Sequence, residues 1–398
     1  MHKKIKGGEV VELLGDEMAR IIWEKVRDLL ILPFVDISLQ TYDLSIQNRE
    51  HTQNEITQQA ARAIQKCGVG LKCATITPDK HRQKEFRLTK LWRSPNAIIR
   101  AFLGGTIFRE PIICKNIPQC VPHWKKPIII GRHAFGDQYN ATEFVIPGPG
   151  KLTMTWEGEN ETSMTHKVHD FCESGVALGM FNLDSSIKNF SKACMQYALN
   201  RDYPLFLSTK RTILPNYDGR FCEIFRQTYE ENFRSSFEQK NLFYDDRLID
   251  DMVALAMKMP GGFIWACKNY DGDVQSDFLA QGYGSLGMMT SVLISPDGRT
   301  LTAEAAHGTI TRHFTMHTQG LPTSTNPVAT LFTWTKGLKH RAYLDHAKGL
   351  VHFVEKLEQA CIQTIEEGFV TKDLATLISH NHKYLNTDDF LKKIVQKM

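Results

Sequence analysis

The chain has 398 residues, of which 42% are hydrophobic and 23% are charged, and its formal net charge is +4. This composition is typical of a folded globular protein and excludes a largely disordered one, and the length predicts two or three domains. Basic residues are scattered rather than gathered in one run, which argues against nucleic-acid or membrane partners. No stretch approaches the roughly 18 to 20 consecutive apolar residues of a membrane span.

The cysteines and the opening segment bear on the cellular compartment. The nine cysteines are dispersed and form no Cys-x-x-Cys pair, so neither a disulfide framework nor a zinc site is predicted. The opening segment lacks the apolar core of a secretory signal and the arginine-rich pattern of a mitochondrial leader. We therefore expect a cytoplasmic protein with reduced thiols, and a processed mitochondrial form is the alternative.

The N-terminal segment predicts a βα unit. The apolar run at 10–14 predicts a strand, and Gly15 and Asp16 predict a turn and a helix N-cap. In the following helix, apolar side chains recur at the spacing of one buried face. These side chains are Met18, Ile21, Ile22, Val26 and Leu29.

Further strands and helices alternate along the chain. A second apolar run, at 69–76, leads into a loop at Thr77 and Pro78. Asn326 and Pro327 predict the N-cap and first position of a helix that continues to about Tyr343. This alternation predicts an α/β sheet with loop-borne sites at the strand ends. The segment 137–183 differs, because it has Pro-Gly turns and short β-rich pieces, and we expect a small insertion there.

The most informative pattern lies at 269–288. It places Asp273 and Asp277 four residues apart in a stretch that can be helical, so their carboxylates face the same way. Two oxygen ligands on one helical face suit a hard divalent cation, Mg²⁺ or Mn²⁺, that keeps positions open for substrate oxygens. The same spacing is more common on a solvated acidic face, so the pair alone leaves both interpretations open.

The glycines at the end of this block form a misleading motif. Gly282, Gly284 and Gly287 satisfy G-x-G-x-x-G, which indicates a Rossmann dinucleotide site only when it follows a strand and opens a helix. Here a predicted helix at 274–281 precedes the glycines and a predicted strand at 288–294 follows them. We therefore predict a tight helix-to-strand turn.

Several segments together resemble one known family. In order and spacing they are similar to the eukaryotic, homodimeric NADP-dependent isocitrate dehydrogenases, which are metal-dependent β-decarboxylating dehydrogenases. The resemblance covers the chain from Lys3 to about Asp389. The segments that carry it are 15–23, 71–79, 104–118, 128–139, 247–254, 269–288 and 303–313.

The resemblance implies a fold and an assembly. The fold is α/β, of the isocitrate/isopropylmalate dehydrogenase type rather than the Rossmann type. A large discontinuous domain would comprise residues 1–103 and 284–398, and a small α/β domain would comprise 104–136 and 184–283. The β-rich segment 137–183 would be a clasp through which two subunits of a homodimer interlock.

The resemblance also implies a substrate site. Isocitrate has three carboxylates, so its site needs several cationic donors, preferably guanidinium groups that grip carboxylates in bidentate fashion. The residues that match the family's substrate contacts are Thr77, Ser94, Asn96, Arg100, Arg109, Arg132 and Lys210. Taken singly, each arginine is more often a surface residue, and only the joint match favours a site.

The chemistry of the reaction is assigned on the same basis. Tyr139 and Lys210 match the acid/base pair of the family, in which the lysine reaches in from the other subunit. Asp250 matches a third metal ligand, contributed by the neighbouring chain, beside Asp273 and Asp277. Without the resemblance, Tyr139 is better explained as a half-buried aromatic and Lys210 as a solvated charge.

The implied cofactor is NADP. Arg312 and His313 match the cationic pair that receives the 2′-phosphate, which NAD lacks. Asn326 can contact the adenine edge while it caps the following helix. The other residues that match cofactor contacts are Thr75, Ile76, Thr77, Arg82, Lys258, Gly308, Thr309, Ile310 and Thr311.

The expected reaction is NADP-dependent oxidative decarboxylation of isocitrate to 2-oxoglutarate. Departures from the family pattern lie beside the expected site and leave two alternatives. One is another β-decarboxylating dehydrogenase, acting on isopropylmalate or tartrate, and the other is a catalytically impaired regulatory paralogue. The departures are Ala97, Ile98, Arg211, Pro215 and Leu255.

Overall fold

The computed structural model describes residues 4–160 and 162–398. Its strands are β1 (Ile5–Leu14), β2 (Val35–Asp43), β3 (Val69–Lys72), β4 (Thr106–Pro111), β5 (Ile128–His133), β6 (Thr142–Ile146), β7 (Gly150–Glu157), β8 (Ser163–Phe171), β9 (Gly175–Gly179), β10 (Leu205–Thr209), β11 (Tyr244–Leu248), β12 (Phe263–Cys267), β13 (Met289–Ile294) and β14 (Leu301–Ala305).

Its helices are α1 (Glu17–Val26), α2 (Ile46–His51), α3 (Glu55–Cys67), α4 (Lys80–Glu85), α5 (Pro95–Leu103), α6 (Asp184–Arg201), α7 (Tyr217–Thr228), α8 (Arg234–Gln239), α9 (Ile249–Ala256), α10 (Asn269–Gly282), α11 (Thr311–Thr318), α12 (Val328–Leu344), α13 (Lys348–Glu366), α14 (Lys372–Ile378) and α15 (Thr387–Val395). Short 3₁₀ or π turns adjoin α1, α7 and β13.

A ten-stranded sheet in the order β11-β10-β12-β5-β4-β13-β14-β3-β1-β2 organises the larger part of the chain. The four strands at one end are parallel to one another, and so are the four at the other end. Strands β4 and β13 lie between them and make only antiparallel pairs. The two parallel groups therefore run in opposite directions, and the predicted α/β fold is confirmed.

Helix α12 is buried on nearly every side against this sheet. Its Trp334 meets Trp23 of α1 with ring centroids 5.0 Å apart, and both rings are almost fully buried. Gly337 lies where the helix crosses β3, and a Cβ added there would come within 2.0 Å of Leu71 Cδ2. The helix can approach the sheet this closely only because position 337 has no side chain.

The N-terminal βα unit forms as predicted, with two differences. Leu29 is exposed and Leu30 and Ile31 are buried instead, because a π turn at Arg27–Ile31 adds a residue and shifts the helical phase. Asp16 occupies the N-cap position without a side-chain cap bond. Its carboxylate accepts from the backbone of Ile46 and Ile76 instead, each at 2.8 Å.

The predicted elements around the glycine-rich motif and in the C-terminal part are confirmed. Helix α10 ends at Gly282 and β13 begins at Met289, so the glycines form a helix-to-strand turn. Helix α12 begins one residue later than predicted, and the Asn326 side chain accepts from the Val328 amide at 2.9 Å. The strand predicted at 69–76 stops at Lys72.

The chain divides into two compact units, Met1–Phe135 with Asp184–Met398 and Gly136–Leu183. The second unit contains two antiparallel pairs, β6 with β9 and β7 with β8. The division of the first unit into a large and a small domain stays a prediction, as does the clasp.

No helix within residues 4–160 and 162–398 is both long and apolar enough to cross a membrane.

We predict that Gly337→Ala destabilises the protein. The added methyl group collides with the fully buried Leu71, and overpacking of this kind costs about 1 to 3 kcal/mol. Denaturant unfolding would measure the loss. Gly219→Ala in α7 is the matched control, because its Cβ meets nothing within 4 Å and a helical Gly→Ala change is neutral or stabilising. Equal unfolding midpoints for the two variants would contradict the packing argument.

Candidate active site

The carboxyl ends of four parallel strands bring most of the predicted substrate and metal residues to one edge of the sheet. Strand β5 carries Arg132 near its end, and α10 begins two residues after β12 ends. Lys210 follows β10 directly, and Asp250 lies in the first turn of α9, which follows β11. Loops at this edge carry the ligand sites of many α/β sheets.

Two arginines and two aspartates form a carboxylate–guanidinium cluster, defined as Arg109, Arg132, Asp273 and Asp277. Arg109 donates to Asp277 at 2.9 Å and lies 3.6 Å from Asp273. Arg132 is ion-paired with Asp273. The guanidinium groups are buried, with side chains 9% and 2% exposed, whereas the aspartate side chains are 37% and 59% exposed. The two aspartate side chains are thus partly exposed to solvent, and their partners are buried guanidinium groups.

Helix α5 carries three predicted substrate residues, two at its N-terminus and Arg100 in its last turn. Ser94 is its N-cap, Pro95 occupies the first turn, and Asn96 and Arg100 follow. Arg100 donates to Glu304 of β14 at 2.7 Å. The helix N-terminus, with its unsatisfied amides and partial positive charge, favours an anionic ligand.

Glu304 lies in a row of residues that crosses the sheet on one face. It is the register partner of Lys72 on β3 and of Ser291 on β13, and Ser291 pairs with Arg109 on β4. Lys72 Nζ lies 3.8 Å from the Glu304 carboxylate. Burial raises the pKa of Glu304, but Arg100 and Lys72 outweigh burial and hold it below its usual range.

Among the described residues, two of the predicted substrate residues have a buried polar atom without a hydrogen-bond partner in the protein. These atoms are Asn96 Oδ1 and Arg109 Nε. An unmade hydrogen bond at a buried polar atom costs about 1 to 3 kcal/mol. Both atoms belong to predicted substrate residues, so a bound polar ligand offers them the partners that the protein does not.

Lys210 and Asp250 form an ion pair within one chain. The Lys210 backbone amide also donates to Asp218 at 2.6 Å. The hydrogen bond from Lys210 lowers the pKa of Asp250. Within residues 4–160 and 162–398, no three acidic, histidine or cysteine side chains come together as a metal site, so one chain supplies Asp273 and Asp277 without a third acid.

Three of the departures from the family pattern make contacts outside the carboxylate–guanidinium cluster. Arg211 donates to Asp246 at 2.7 Å, and Arg226 shares the same carboxylate at 2.7 Å. Leu255 packs against an apolar cluster beside α9. Ile98 lies in α5 and donates its amide to the Ser94 carbonyl at 3.2 Å. Arg211 is therefore held by a carboxylate rather than left to compete for substrate.

Some of the residues that match cofactor contacts line a cavity of about 520 Å³. Ile310, Arg312, His313 and Asn326 line it. His313 Nδ1 lies 2.8 Å from Thr325 Oγ1, and burial, then Arg312, lowers the pKa of His313. A phosphate group would favour protonation of this imidazole, because an adjacent anion stabilises the charged form.

Glu17 contacts three further residues that match cofactor contacts in the family. Thr309 and Thr311 donate their hydroxyls to Glu17 at 2.5 and 2.7 Å, and Arg82 lies 3.1 Å from it. Glu17 and Ile310 both have a positive φ, of 53° and 61°. This conformation is strained, most of all for the β-branched Ile310, and such residues cluster at ligand-binding sites.

Other predicted residues lie apart from that cavity. Thr75, Ile76 and Thr77 follow β3, and the Ile76 side chain is buried in an apolar cluster. The Ile76 amide donates to Asp16 and its carbonyl accepts from Arg49, so its predicted cofactor contact lacks geometric support. Lys258 is exposed just after α9. For Gly308, an added Cβ would meet open space.

Tyr139 belongs to the second unit, in a 3₁₀ turn at Asp137–Asn140. Its side chain is 44% exposed. Its predicted role in catalysis stays a prediction.

Sequence reasoning missed several residues that the structure places at these sites. Glu304 and His307 lie inside the quoted segment 303–313, and Glu17 lies inside 15–23, yet none carried a predicted role. His307 lines the 520 Å³ cavity with a buried, unpartnered Nε2. An acid between alanines in a buried strand was the available signal for Glu304, because buried acids require cationic partners.

Comparison with known proteins gives the family. Residues 9–394 match the family described as isocitrate/isopropylmalate dehydrogenase. The chain belongs to this family. "Isocitrate dehydrogenase [NADP]" of Sphingobium yanoikuyae is 56% identical over 385 residues, which cover 97% of this chain and 95% of that protein.

Two plant members of the isocitrate/isopropylmalate dehydrogenase family are similar over their length as well. "Cytosolic isocitrate dehydrogenase [NADP]" of Arabidopsis thaliana is 54% identical across 100% of this chain and 98% of its own. "Isocitrate dehydrogenase [NADP], chloroplastic" of Medicago sativa is 55% identical across 100% of this chain and 93% of its own. The predicted recognition is confirmed, and the family-typical cofactors are NADP with Mg²⁺ or Mn²⁺.

We predict that Glu304→Gln lowers stability by about 2 to 3 kcal/mol, because the buried Lys72 and the part-buried Arg100 lose their charged partner. Because the pKa of Glu304 is lowered on folding, its stabilisation is present above the ordinary glutamate pKa and is lost as the pH falls through the lowered value. Denaturant unfolding between acidic and neutral pH would show both effects.

The matched control is Glu238→Gln, which breaks an exposed pair with Arg234 and should cost less than about 1 kcal/mol. Substrate affinity should also fall in the Glu304 variant, since Arg100 loses its anchor. A Glu304 variant as stable as the control would show that the buried charges do not depend on this carboxylate.

Proposed function

We propose that this protein catalyses NADP-dependent oxidative decarboxylation of isocitrate to 2-oxoglutarate and CO₂, with formation of NADPH. One observation carries the proposal: buried Arg109 and Arg132 stand behind two outward-facing aspartates on one helix. Such a patch can hold a cation and a polycarboxylate together. The relatives that are 54–56% identical carry the matching name.

We assign substrate binding to the three arginines and to the N-terminus of α5. Arg100, Arg109 and Arg132 supply guanidinium forks that match carboxylate geometry. Asn96 Oδ1 and Arg109 Nε, which lack partners inside the protein, complete the polar contacts. Three charged donors suit the three carboxylates of isocitrate better than the two of a simpler malate analogue, which disfavours isopropylmalate and tartrate.

The residues present fit a divalent metal ion. Asp273 and Asp277 would hold it from one chain, and their carboxylate oxygens are the ligands that Mg²⁺ and Mn²⁺ prefer. When bound, the ion polarises the hydroxyl and the 2-oxo oxygen of the reacting ligand. Asp250 would be the third ligand, supplied by the other subunit.

Proton transfer is assigned to Tyr139 and Lys210. Lys210 would move the proton of the substrate hydroxyl while hydride leaves C2 for NADP⁺, and Tyr139 would return a proton to the enolate left by CO₂. Asp250 holds Lys210 within its own chain. The lysine and the proposed third metal ligand would therefore enter the partner's site as one ion pair.

The exposed apolar surface of α10 supports the proposal of a homodimer with shared sites. Tyr270, Val274 and Phe278 recur every four residues and are half-exposed, so they form one stripe. Asp273 and Asp277 border this stripe along the same helix. A second copy that covers the stripe would therefore reach the metal ligands.

The second unit offers further apolar surface for a partner. Val145 and Val176 pair across β6 and β9 with 74% and 77% exposure. Trp156 and Met164 pair across β7 and β8 and are also exposed. Exposed apolar pairs of this kind mark interaction surfaces, which supports the clasp role for 137–183.

The impaired paralogue is the less supported alternative. Its motivation was Arg211, Ile98 and Leu255, but Arg211 is paired with Asp246.

We also propose a cytoplasmic location, as for the Arabidopsis relative. Fractionation of cells that express the tagged full-length chain would test it.

We predict that the protein forms NADPH from isocitrate in the presence of Mg²⁺ or Mn²⁺. Absorbance at 340 nm would measure the NADPH. EDTA should abolish this reaction. With NAD⁺, kcat/KM should fall by about 100-fold or more, because Arg312 and His313 lose the 2′-phosphate. Isopropylmalate and tartrate should give no comparable rate. Activity that survives chelation would overturn the metal assignment, and a preference for either alternative substrate would overturn the substrate assignment.

Shared sites are tested with purified heterodimers of inactive chains. A dimer of one Lys210→Met chain and one Asp277→Asn chain contains one intact site, because Lys210 serves the partner and Asp277 serves its own chain. We predict about half of the wild-type activity for this heterodimer.

The matched control combines Lys210→Met with Asp250→Asn. Both residues belong to one paired unit, so each site of this heterodimer contains one defect and should stay inactive. Inactivity of the first heterodimer would show that Lys210 and Asp277 of one chain do not serve different sites, and activity of the second would show that Lys210 and Asp250 of one chain do not serve the same site.

A further inference from the structure

A cavity of about 830 Å³ lies on the opposite face of the sheet from the carboxylate–guanidinium cluster. Phe108 of β4 lines the cavity, whereas the adjacent Arg109 contacts Ser276 and Asp277. Successive side chains of a strand point to opposite faces. The cavity is therefore distinct from the proposed substrate site, and none of the predicted substrate, metal or cofactor residues lines it.

The walls of the cavity come from elements that pack on different parts of the sheet. Helix α6 contributes Lys192 and Tyr197, and α12 contributes Lys336 and His340. Strands β4 and β13 form the floor. The volume lies within the range of about 300 to 1,000 Å³ that is common for small-molecule sites.

The floor is aromatic and apolar. The rings of Phe108 and Tyr197 stack with centroids 3.8 Å apart, and Val292, Ile294 and Leu301 extend the apolar surface. A flat apolar or aromatic group would gain both burial and ring contacts there.

Four basic side chains and one acidic side chain, Asp297, line the cavity, and three of the four basic side chains are paired with carboxylates outside the lining. The basic residues are Lys192, Arg201, Lys336 and Lys339. Lys339 is paired with Glu355 at 3.1 Å. In residues 4–160 and 162–398, no carboxylate lies within ion-pair distance of Lys192, which leaves it able to bind an anion.

Arg201 and Lys336 converge on one carboxylate from the two facing helices. Arg201 is ion-paired with Glu110, and Lys336 lies 3.5 Å from the same carboxylate. Burial disfavours the charged form of Lys336, but Glu110 outweighs burial and holds its pKa above the ordinary range. Two cations thus share one anion at the inner end of the cavity.

We propose that this cavity is a binding site for an organic anion with a flat apolar or aromatic body and a phosphate, carboxylate or sulfonate head. The body would lie against Tyr197, which stacks on the buried Phe108, and the head would lie between Lys192 of α6 and Lys339 of α12. Charge-assisted hydrogen bonds from both helices would hold it.

The test uses 1-anilinonaphthalene-8-sulfonate, a fluorescent aromatic anion, with the full chain in saturating NADP⁺ and isocitrate plus EDTA. Under these conditions NADP⁺ and isocitrate compete with the probe at their own sites, and removal of the metal prevents turnover. Fluorescence titration measures the dissociation constant. We expect binding to weaken about tenfold in Lys192→Gln/Lys339→Gln, because two head contacts are lost.

Two further variants locate the probe. Gln196→Trp places a large ring at an exposed position in the cavity wall and should remove the site. Lys188→Gln, on the same helix but outside the cavity, should bind the probe as the wild type does. Wild-type affinity in either cavity variant, an equal loss in Lys188→Gln, or no binding to the wild type would each overturn the proposal. Thermal unfolding would confirm that all variants are folded.

Discussion

Buried positive charge that requires paired carboxylates is the constraint on which the rest of this structure depends. Arg100 and Lys72 are held by Glu304, and Arg109 and Arg132 are held by the aspartates of α10. A guanidinium group cannot stay inside a protein without such compensation. The acids therefore keep the cations in place for an anionic ligand, and two of the same acids are also the proposed metal ligands.

The reversal of strand direction across β4 and β13 brings these pairs together. Because the two parallel groups run in opposite directions, α5 and α10 reach Arg109 and Glu304 on one face of the sheet. The Lys210–Asp250 pair follows two neighbouring strands at the same edge. One chain thus carries the carboxylate–guanidinium cluster and a separate Lys210–Asp250 pair at the same edge of the sheet, which is compatible with the proposed assembly from two copies.

Much of the fold and of the candidate site could be predicted from sequence where local rules apply. The i, i+4 spacing placed Asp273 and Asp277 on one helix face, and the order of helix, glycines and strand excluded a Rossmann motif. Leu29 was placed wrongly because a π turn changes the helical phase, which apolar spacing does not reveal. Asp16 does not form the expected cap bond, because its carboxylate accepts hydrogen bonds from the backbone amides of Ile46 and Ile76 instead.

By itself, the sequence determined the family, the α/β class and the residue types available for metal, substrate and cofactor, since spacing and motif order are local properties. Only the tertiary structure decided which charges compensate which. The pairing of Arg100 with Glu304 spans 204 positions of the chain, and the pairing of Arg211 with Asp246 depends on the register of β10 with β11. Ion pairs follow distance in space, and that distance is set by sheet register and helix packing.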